Sequence, residues 1–176
     1  MRILTSKRLT VPFIGIALIF GLCVSSLMAQ QKFKIAGKIT AAYTVREVVE
    51  VGDTEGHSLY LLKNEGFNES TGEHKFMDGA EVVWFGIADY IQGNGSHTVY
   101  TKMSLNDNVV YSKAEGKTTT ILSPEGKPVT TFEGTMSFTK GTGKYKNVQG
   151  SSTYKGKLVS SVIIVNEWKG EYFIKQ

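Results

Sequence analysis

Residues 130–139 read Thr-Thr-Phe-Glu-Gly-Thr-Met-Ser-Phe-Thr, and the side chains alternate in character along this stretch. The even positions from Phe132 to Phe138 are apolar or glycine, whereas the odd positions are Thr, Glu or Ser. Such a two-residue repeat predicts a β-strand with one buried face. After residue 30, no stretch of a dozen residues keeps a 3.6-residue apolar repeat without a glycine inside it. The sequence therefore predicts an all-β protein.

Turn-forming residues divide the rest of the chain into strand-length segments. The breakpoints are Gly52-Asp53, Asn64-Glu65-Gly66, Asp78-Gly79, Gly93-Asn94-Gly95, Asn106-Asp107-Asn108, Pro124-Glu125-Gly126 and Lys169-Gly170. They leave candidate strands near 32–40, 43–52, 56–63, 79–91, 96–105, 108–122, 129–139, 151–160 and 162–174. Long strands joined by tight turns favour a single antiparallel, up-and-down β-barrel of about eight strands over an immunoglobulin-like sandwich.

Two segments interrupt the hairpin pattern. Residues 64–78 are polar and predict a long surface loop or a short extra hairpin. Residues 141–150 have glycines at both ends, with Tyr145 and Val148 three positions apart. This spacing predicts one 3₁₀ or α turn whose two apolar side chains cover an end of the core.

The first 29 residues have the anatomy of a secretory signal peptide. Arg2, Lys7 and Arg8 precede an apolar run over residues 11–28, and the chain becomes polar after Ala29. The alternative is an uncleaved membrane anchor, since the run approaches the roughly 20 residues that span a bilayer. We expect cleavage after Ala29, export to the periplasm or the exterior, and a mature domain over 30–176 without stable membrane insertion.

Charge and cysteine content exclude several functions. Three of the 20 Lys and Arg residues lie in the first 29, which contain no acidic residue, so 17 cations face 16 anions in the mature chain. This near-neutral balance argues against nucleic acid as a partner. Cys23 leaves with the leader, which removes disulfides and thiol chemistry. The wide separation of the three histidines argues against a metal site. The lack of nucleotide-binding motifs argues against a nucleotide cofactor, and we expect no cofactor.

The segment Gly141-Thr142-Gly143-Lys144-Tyr145-Lys146-Asn147-Val148-Gln149-Gly150, with Ser151 to Gly156 after it, resembles the allene oxide cyclase barrel-like superfamily. That superfamily includes the dirigent proteins, and Gly52 to His57 looks like a segment of its uncharacterised exported bacterial members. The resemblance implies a calycin-like β-barrel fold. Its members include a cofactor-free cyclase of a fatty-acid epoxide and proteins that guide phenoxy-radical coupling. None of their active-site residues matches a position here. Plant members are often trimers, which makes a homo-oligomer an expectation.

His57 is the first candidate for acid–base chemistry. It begins a predicted strand directly after Asp53 and Glu55, so its imidazole could meet a carboxylate at a barrel mouth. The alternative is a strand-end histidine that is hydrogen-bonded to the preceding turn. Under this alternative, His57 stabilises the turn and takes no part in catalysis.

The strand over 79–91 offers two alternative inward faces. If the face that carries Glu81 and Asp89 points inward, both carboxylates become candidate catalytic groups. If the other face points inward, Trp84 and Tyr90 line an apolar lumen together with Gly86 and Ala88. The alternation of small and large residues favours the second arrangement. Tyr100 and Tyr111 are further candidates for ligand binding, because each joins apolar area to a polar hydroxyl.

Three functions fit this sequence. The first is an exported barrel that holds a small, largely apolar molecule in its lumen. The second is a cofactor-free isomerase or cyclase, which would require His57, Glu81 or Asp89 to meet another polar group in the lumen. The third is a structural or assembly protein, which would combine a filled interior with an exposed apolar patch.

Overall fold

The computed structural model describes residues 31–176, which form eight β-strands and one short 3₁₀ turn. The signal-peptide prediction for residues 1–29 lies outside this range. Within it, no helix is long and apolar enough to span a bilayer. The elements are β1 (Phe33–Glu50), β2 (His57–Ser70), β3 (Glu81–Ile91), β4 (Asn94–Leu105), β5 (Asn108–Leu122), β6 (Pro128–Gly141), the 3₁₀ turn η1 (Gly143–Tyr145), β7 (Val148–Leu158) and β8 (Ile163–Ile174).

Each strand pairs antiparallel with the next, and β8 returns to pair with β1, so the sheet is a closed barrel. The closing pairs run in register from Phe33 opposite Tyr172 to Ala42 opposite Ile163. Closure gives both edges of the sheet a partner for their backbone N–H and C=O groups. The structure confirms the predicted eight-stranded, up-and-down barrel.

Three predicted strand boundaries were wrong. The candidates 32–40 and 43–52 are one long strand, β1, with a bulge between Tyr43 and Val45. The breaks predicted at Asn64-Glu65-Gly66 and at Lys169-Gly170 lie inside β2 and β8. A Cβ at position 66 would lie 2.0 Å from the Thr40 carbonyl oxygen. Glycine at this position therefore permits close approach of β1 and β2 and does not mark a turn.

The β3 strand turns the preferred face inward. Val82, Trp84, Ala88 and Tyr90 are buried, whereas the intervening positions Glu81, Phe85, Ile87 and Asp89 are exposed. The small residues Gly86 and Ala88 leave space beside the two large aromatic side chains. The expectation that Trp84 and Tyr90 face the lumen is confirmed.

One end of the barrel is closed by an end plug made of Phe76, Met77 and Tyr145. The prediction of a surface loop or hairpin over 64–78 was wrong, because 64–70 completes β2 and the following loop buries Phe76 and Met77. The Phe76 ring lies 5.0 Å from that of Tyr145 and 5.3 Å from that of Phe138. Tyr145 belongs to the 3₁₀ turn predicted from its spacing, and this turn does cover the core.

Phe76→Ala should lower the free energy of unfolding by about 3–5 kcal/mol, because it opens a cavity at a site that is 1% exposed. Phe67→Ala is the matched control, since Phe67 is 64% exposed on the outer face of β2 and should change the same quantity by less than about 0.5 kcal/mol. Urea denaturation monitored by circular dichroism measures both. Equal losses would contradict the end plug.

Candidate functional site

A cavity of about 80 Å³ occupies the lumen, and we refer to it as the lumen cavity. Its wall is largely apolar and includes both tryptophans of the chain, Trp84 and Trp168. The volume is several times the roughly 10–15 Å³ that one water molecule requires. The other inward lining residues are Ile39, Tyr43, Leu62, Asn64, Gly86, Tyr90, His97, Val99, Thr101, Ala114, Phe132, Met136, Tyr154, Ile164 and Asn166.

Four polar side chains form a continuous lumen hydrogen-bond chain: Tyr90, Thr118, His97 and Tyr154. The Tyr90 hydroxyl lies 2.7 Å from Thr118 Oγ1, which lies 3.0 Å from His97 Nδ1. On the other side of the imidazole, His97 Nε2 lies 2.6 Å from the Tyr154 hydroxyl. Tyr90, His97 and Tyr154 also line the lumen cavity, so an occupant of that cavity would lie against this chain of polar groups.

Glycines on the intervening strands make this chain possible. His97 on β4 and Tyr154 on β7 belong to one row of paired residues, in which the two positions between them are Gly116 and Gly134. A Cβ on Gly116 would lie 2.3 Å from the Tyr154 hydroxyl and 2.8 Å from His97 Nε2. The absence of side chains at these two positions therefore lets His97 and Tyr154 meet across two strands.

Burial keeps the lumen groups uncharged. It lowers the pKa of His97 from its ordinary value, which favours the neutral imidazole. Burial also raises the pKa of Tyr90 to about 12, an effect that the hydrogen bond from Thr118 partly opposes. The pKa of Tyr154 is raised mainly by burial and further by the neighbouring Tyr90. Burial therefore favours the neutral form of all three groups.

Two asparagines leave polar atoms without partners in the wall of the lumen cavity. The amide nitrogen of Asn64 and the amide oxygen of Asn166 are buried and lack a hydrogen-bond partner. A buried polar atom without a partner costs about 1–3 kcal/mol. One atom is a donor and the other an acceptor, so a bound molecule that carries both functions could satisfy them.

His57 lies on the outer face at the start of β2. Its Nδ1 contacts Asp53 in the preceding turn, and its Nε2 lies 2.9 Å from Asp89 on β3. The predicted meeting with a carboxylate therefore occurs. However, His57 does not line the lumen cavity, so it joins a turn to the neighbouring strand rather than facing an occupant.

The other four candidates from the sequence lie on the outer face of the barrel and not in its lumen. Glu81 and Asp89 lie on the outer face, so neither enters the lumen as the catalytic interpretation required. Tyr100 is 53% exposed and pairs with the outward Phe85. Tyr111 pairs with the outward Lys102 and also does not line the lumen cavity. Side-chain alternation explains all four corrections, because one step in register moves a residue to the opposite face.

His97 and Tyr154 were missed as partners because they are 57 residues apart in sequence. The available signal was the pair of glycines at inward positions of two adjacent strands, Gly116 and Gly134. Glycine inside a strand often marks the close approach of another group. Without the register of β4 to β7, that signal did not identify which side chains would use the space. Within residues 31–176, no three acidic, histidine or cysteine side chains cluster to hold a metal ion.

The outer surface of the barrel has two contrasting sides. On β2, β3 and β4, large apolar side chains lie exposed next to one another, and this apolar outer face comprises Leu59, Leu61, Phe85, Ile87 and Tyr100. From β5 through β8 to β2, one row of paired outward residues alternates in charge: Lys117, Glu133, Lys155, Glu167, Lys38 and Glu69. Apolar patches of this kind are typical of contact surfaces.

Comparison with known proteins gave matches only among solved structures. No family model matches the chain, and no curated protein matches it. The pterocarpan synthase dirigent protein GePTS1 superposes with a TM-score of 0.45 at 12% identity, over 83% of this chain and 88% of that one. The pterocarpan synthase dirigent protein PsPTS1 gives 0.34 at 12% identity, over 83% and 97%. No residue role is transferred from either structure.

Gly116→Ala should lower the free energy of unfolding by about 1–3 kcal/mol, because the new methyl group would overlap the Tyr154 hydroxyl and the Glu133 carbonyl oxygen. Gly86→Ala is the matched control, since its nearest contacts would be ordinary ones at 3.6 Å. Thermal and urea denaturation compare the two. A Gly116→Ala protein as stable as Gly86→Ala would contradict the close contact.

His57 and His97 should titrate on opposite sides of 6.5. Hydrogen bonds that the His57 imidazole donates to Asp53 and to Asp89 raise the pKa of His57, so its contribution to stability is complete below pH 6.5 and is lost as pH rises through the raised value. Burial lowers the pKa of His97, so unfolding takes up a proton and stability falls as pH drops below 6.5.

NMR titration of the imidazole Hε1 signals measures both pKa values, with His57→Gln and His97→Gln providing the assignments. Asp89→Asn should lower the pKa of His57 and leave that of His97 unchanged. A pKa below 6.5 for His57, or above 6.5 for His97, would contradict these placements.

Proposed function

We propose that this protein is an exported barrel that binds a small, largely apolar molecule in its lumen. The observation that carries the proposal is the pair of unpartnered polar atoms, Asn64 Nδ2 and Asn166 Oδ1, in a cavity wall that is largely apolar. A solid core gains nothing from such atoms, whereas a ligand site uses a few polar groups to orient its occupant. Export rests on the sequence of residues 1–29 and remains part of the proposal.

The occupant should be compact and should carry at least one polar group, either a hydrogen-bond acceptor or a donor. The Asn64 amide would donate to an acceptor, and the Asn166 carbonyl oxygen would accept from a donor. Trp84 and Trp168 would supply apolar contact on the wall. A single polar face on a small apolar body is the chemistry that this cavity fits.

Catalysis by a cofactor-free isomerase is the second candidate, and the lumen hydrogen-bond chain favours it. As derived from the sequence, the isomerase hypothesis required His57, Glu81 or Asp89 to face the lumen, and all three lie on the outer face of the barrel. His97 and Tyr154 take that place, since both line the lumen cavity and are hydrogen-bonded to each other. Titratable groups with shifted pKa values beside a cavity are typical of acid–base sites.

A purely structural role has less support. It required a filled interior together with an exposed apolar patch. The apolar outer face meets the second condition, but the lumen cavity does not meet the first. The same outer face would suit self-association, so a homo-oligomer stays compatible with ligand binding.

Substitution of Asn64 tests the proposed binding site. Asn64→Leu should raise the free energy of unfolding by about 1 kcal/mol, because it removes a buried donor that has no partner. The same change should weaken binding of cyclohexanone about tenfold through the loss of one hydrogen bond to the carbonyl. Fluorescence of Trp84 and Trp168 reports binding, since both line the lumen cavity.

Asn68→Leu is the matched control on the same strand. The Asn68 amide donates to the carbonyl oxygens of Phe76 and Met77, and its oxygen accepts from Trp168 Nε1. This variant should therefore be less stable than the wild type by about 1–3 kcal/mol. If Asn64→Leu destabilises the protein as Asn68→Leu does, or if cyclohexanone does not bind, the proposed function is contradicted.

A further inference from the structure

The two ends of the lumen hydrogen-bond chain are phenols that line the same cavity. Tyr90 and Tyr154 each contribute a hydroxyl, and Thr118 and His97 connect them. The two phenols are close enough for Tyr90 to raise the pKa of Tyr154. An occupant of the lumen cavity can therefore contact both ends of one continuous chain.

The chain can be hydrogen-bonded in either of two directions. In the first, Tyr90 donates to Thr118, Thr118 to His97 Nδ1, and His97 Nε2–H to Tyr154, which leaves the Tyr154 O–H free to donate into the cavity. In the second, every bond is reversed, and the Tyr90 O–H is the free donor. Hydroxyls and neutral imidazole have both a donor and an acceptor, so each arrangement satisfies all four groups.

We propose that this chain is a proton relay that catalyses a cofactor-free proton shift in a small apolar carbonyl compound held in the lumen. The inference rests on the proposed ligand binding and assigns a reaction to the same site. Tyr90 and Tyr154 are the catalytic residues, since they touch the occupant. Thr118 and His97 act through them as positioning and relay residues.

The step balances without any further reagent. A C–H bond of the ligand breaks, and its proton goes to the Tyr90 oxygen as the Tyr90 proton moves to Thr118 and the Thr118 proton to His97 Nδ1. The proton on His97 Nε2 moves to Tyr154, and Tyr154 delivers its own proton to a second ligand atom. The electron pair of the C–H bond becomes a new π bond within the ligand. The existing π bond that it displaces breaks, and its electron pair binds the proton from Tyr154, so nothing is oxidised or reduced. The relay ends in its reversed arrangement, ready for the opposite transfer.

Burial explains why a concerted relay suits this site better than a charged intermediate. His97 and Thr118 are 8% and 3% exposed, and isolated charge in such surroundings is strongly disfavoured. A transfer in which each group gives one proton and accepts another keeps all four residues neutral. Positioned acid–base groups accelerate proton transfer by about 10²–10⁴-fold.

The test uses cyclohex-3-enone, whose isomerisation to the conjugated cyclohex-2-enone requires removal of one carbon-bound proton and addition of another. The mature wild-type protein should accelerate this reaction, as followed by the absorbance of the conjugated product. Thr118→Val should reduce the rate about 100-fold or more while probe binding, followed by tryptophan fluorescence, stays within about twofold. Thr118→Ser restores a hydroxyl and should recover most of the rate.

Each outcome decides the inference. Binding of the probe without isomerisation, or equal rates for wild type and Thr118→Val, would overturn the relay and leave the proposed ligand binding intact. Failure of the wild type to bind the probe would contradict the proposed function and the relay together. If Thr118→Val does not fold by circular dichroism, Tyr90→Phe takes its place, because it removes one end of the chain and keeps the ring. Full activity of Tyr90→Phe would also overturn the relay.

Discussion

Pairing of β1 with β8 is the constraint on which the rest of this structure depends. Ten residue pairs close the sheet, so every strand has two neighbours and every side chain must point either into the lumen or to solvent. Once closed, the barrel fixes which residues from distant parts of the sequence share a row. The lumen cavity and the lumen hydrogen-bond chain both follow from those rows.

The lumen contains both the packed end plug and the lumen cavity. At the plugged end, Phe76 and Met77 enter from the loop after β2 and fill the space between the strands. In the row that joins His97 to Tyr154, Gly116 and Gly134 occupy inward positions where a side chain would otherwise fill the lumen. That space is used by the His97 and Tyr154 side chains, which meet there.

The sequence predicted the fold well because strand alternation and turn residues are local signals. The inward face of β3 was favoured by its alternation of small and large residues, and the turn that carries Tyr145 was predicted from spacing. The loop after β2 was not, since its polar composition concealed Phe76 and Met77, which are buried only by contacts with residues far along the chain. The candidate site was harder to predict from the sequence than the fold. His97 meets Tyr154 only through the register of four strands, and no local pattern encodes that register.

The central claim is that the lumen holds a small molecule, and native mass spectrometry of the mature chain from its own host tests it most directly. The protein should show, beside the polypeptide mass, a species heavier by the mass of a compact organic molecule, and that increment should disappear on denaturation. Mild ionisation preserves such complexes when the ligand is enclosed. A bare polypeptide mass in every charge state, from material never exposed to denaturant, would contradict the claim.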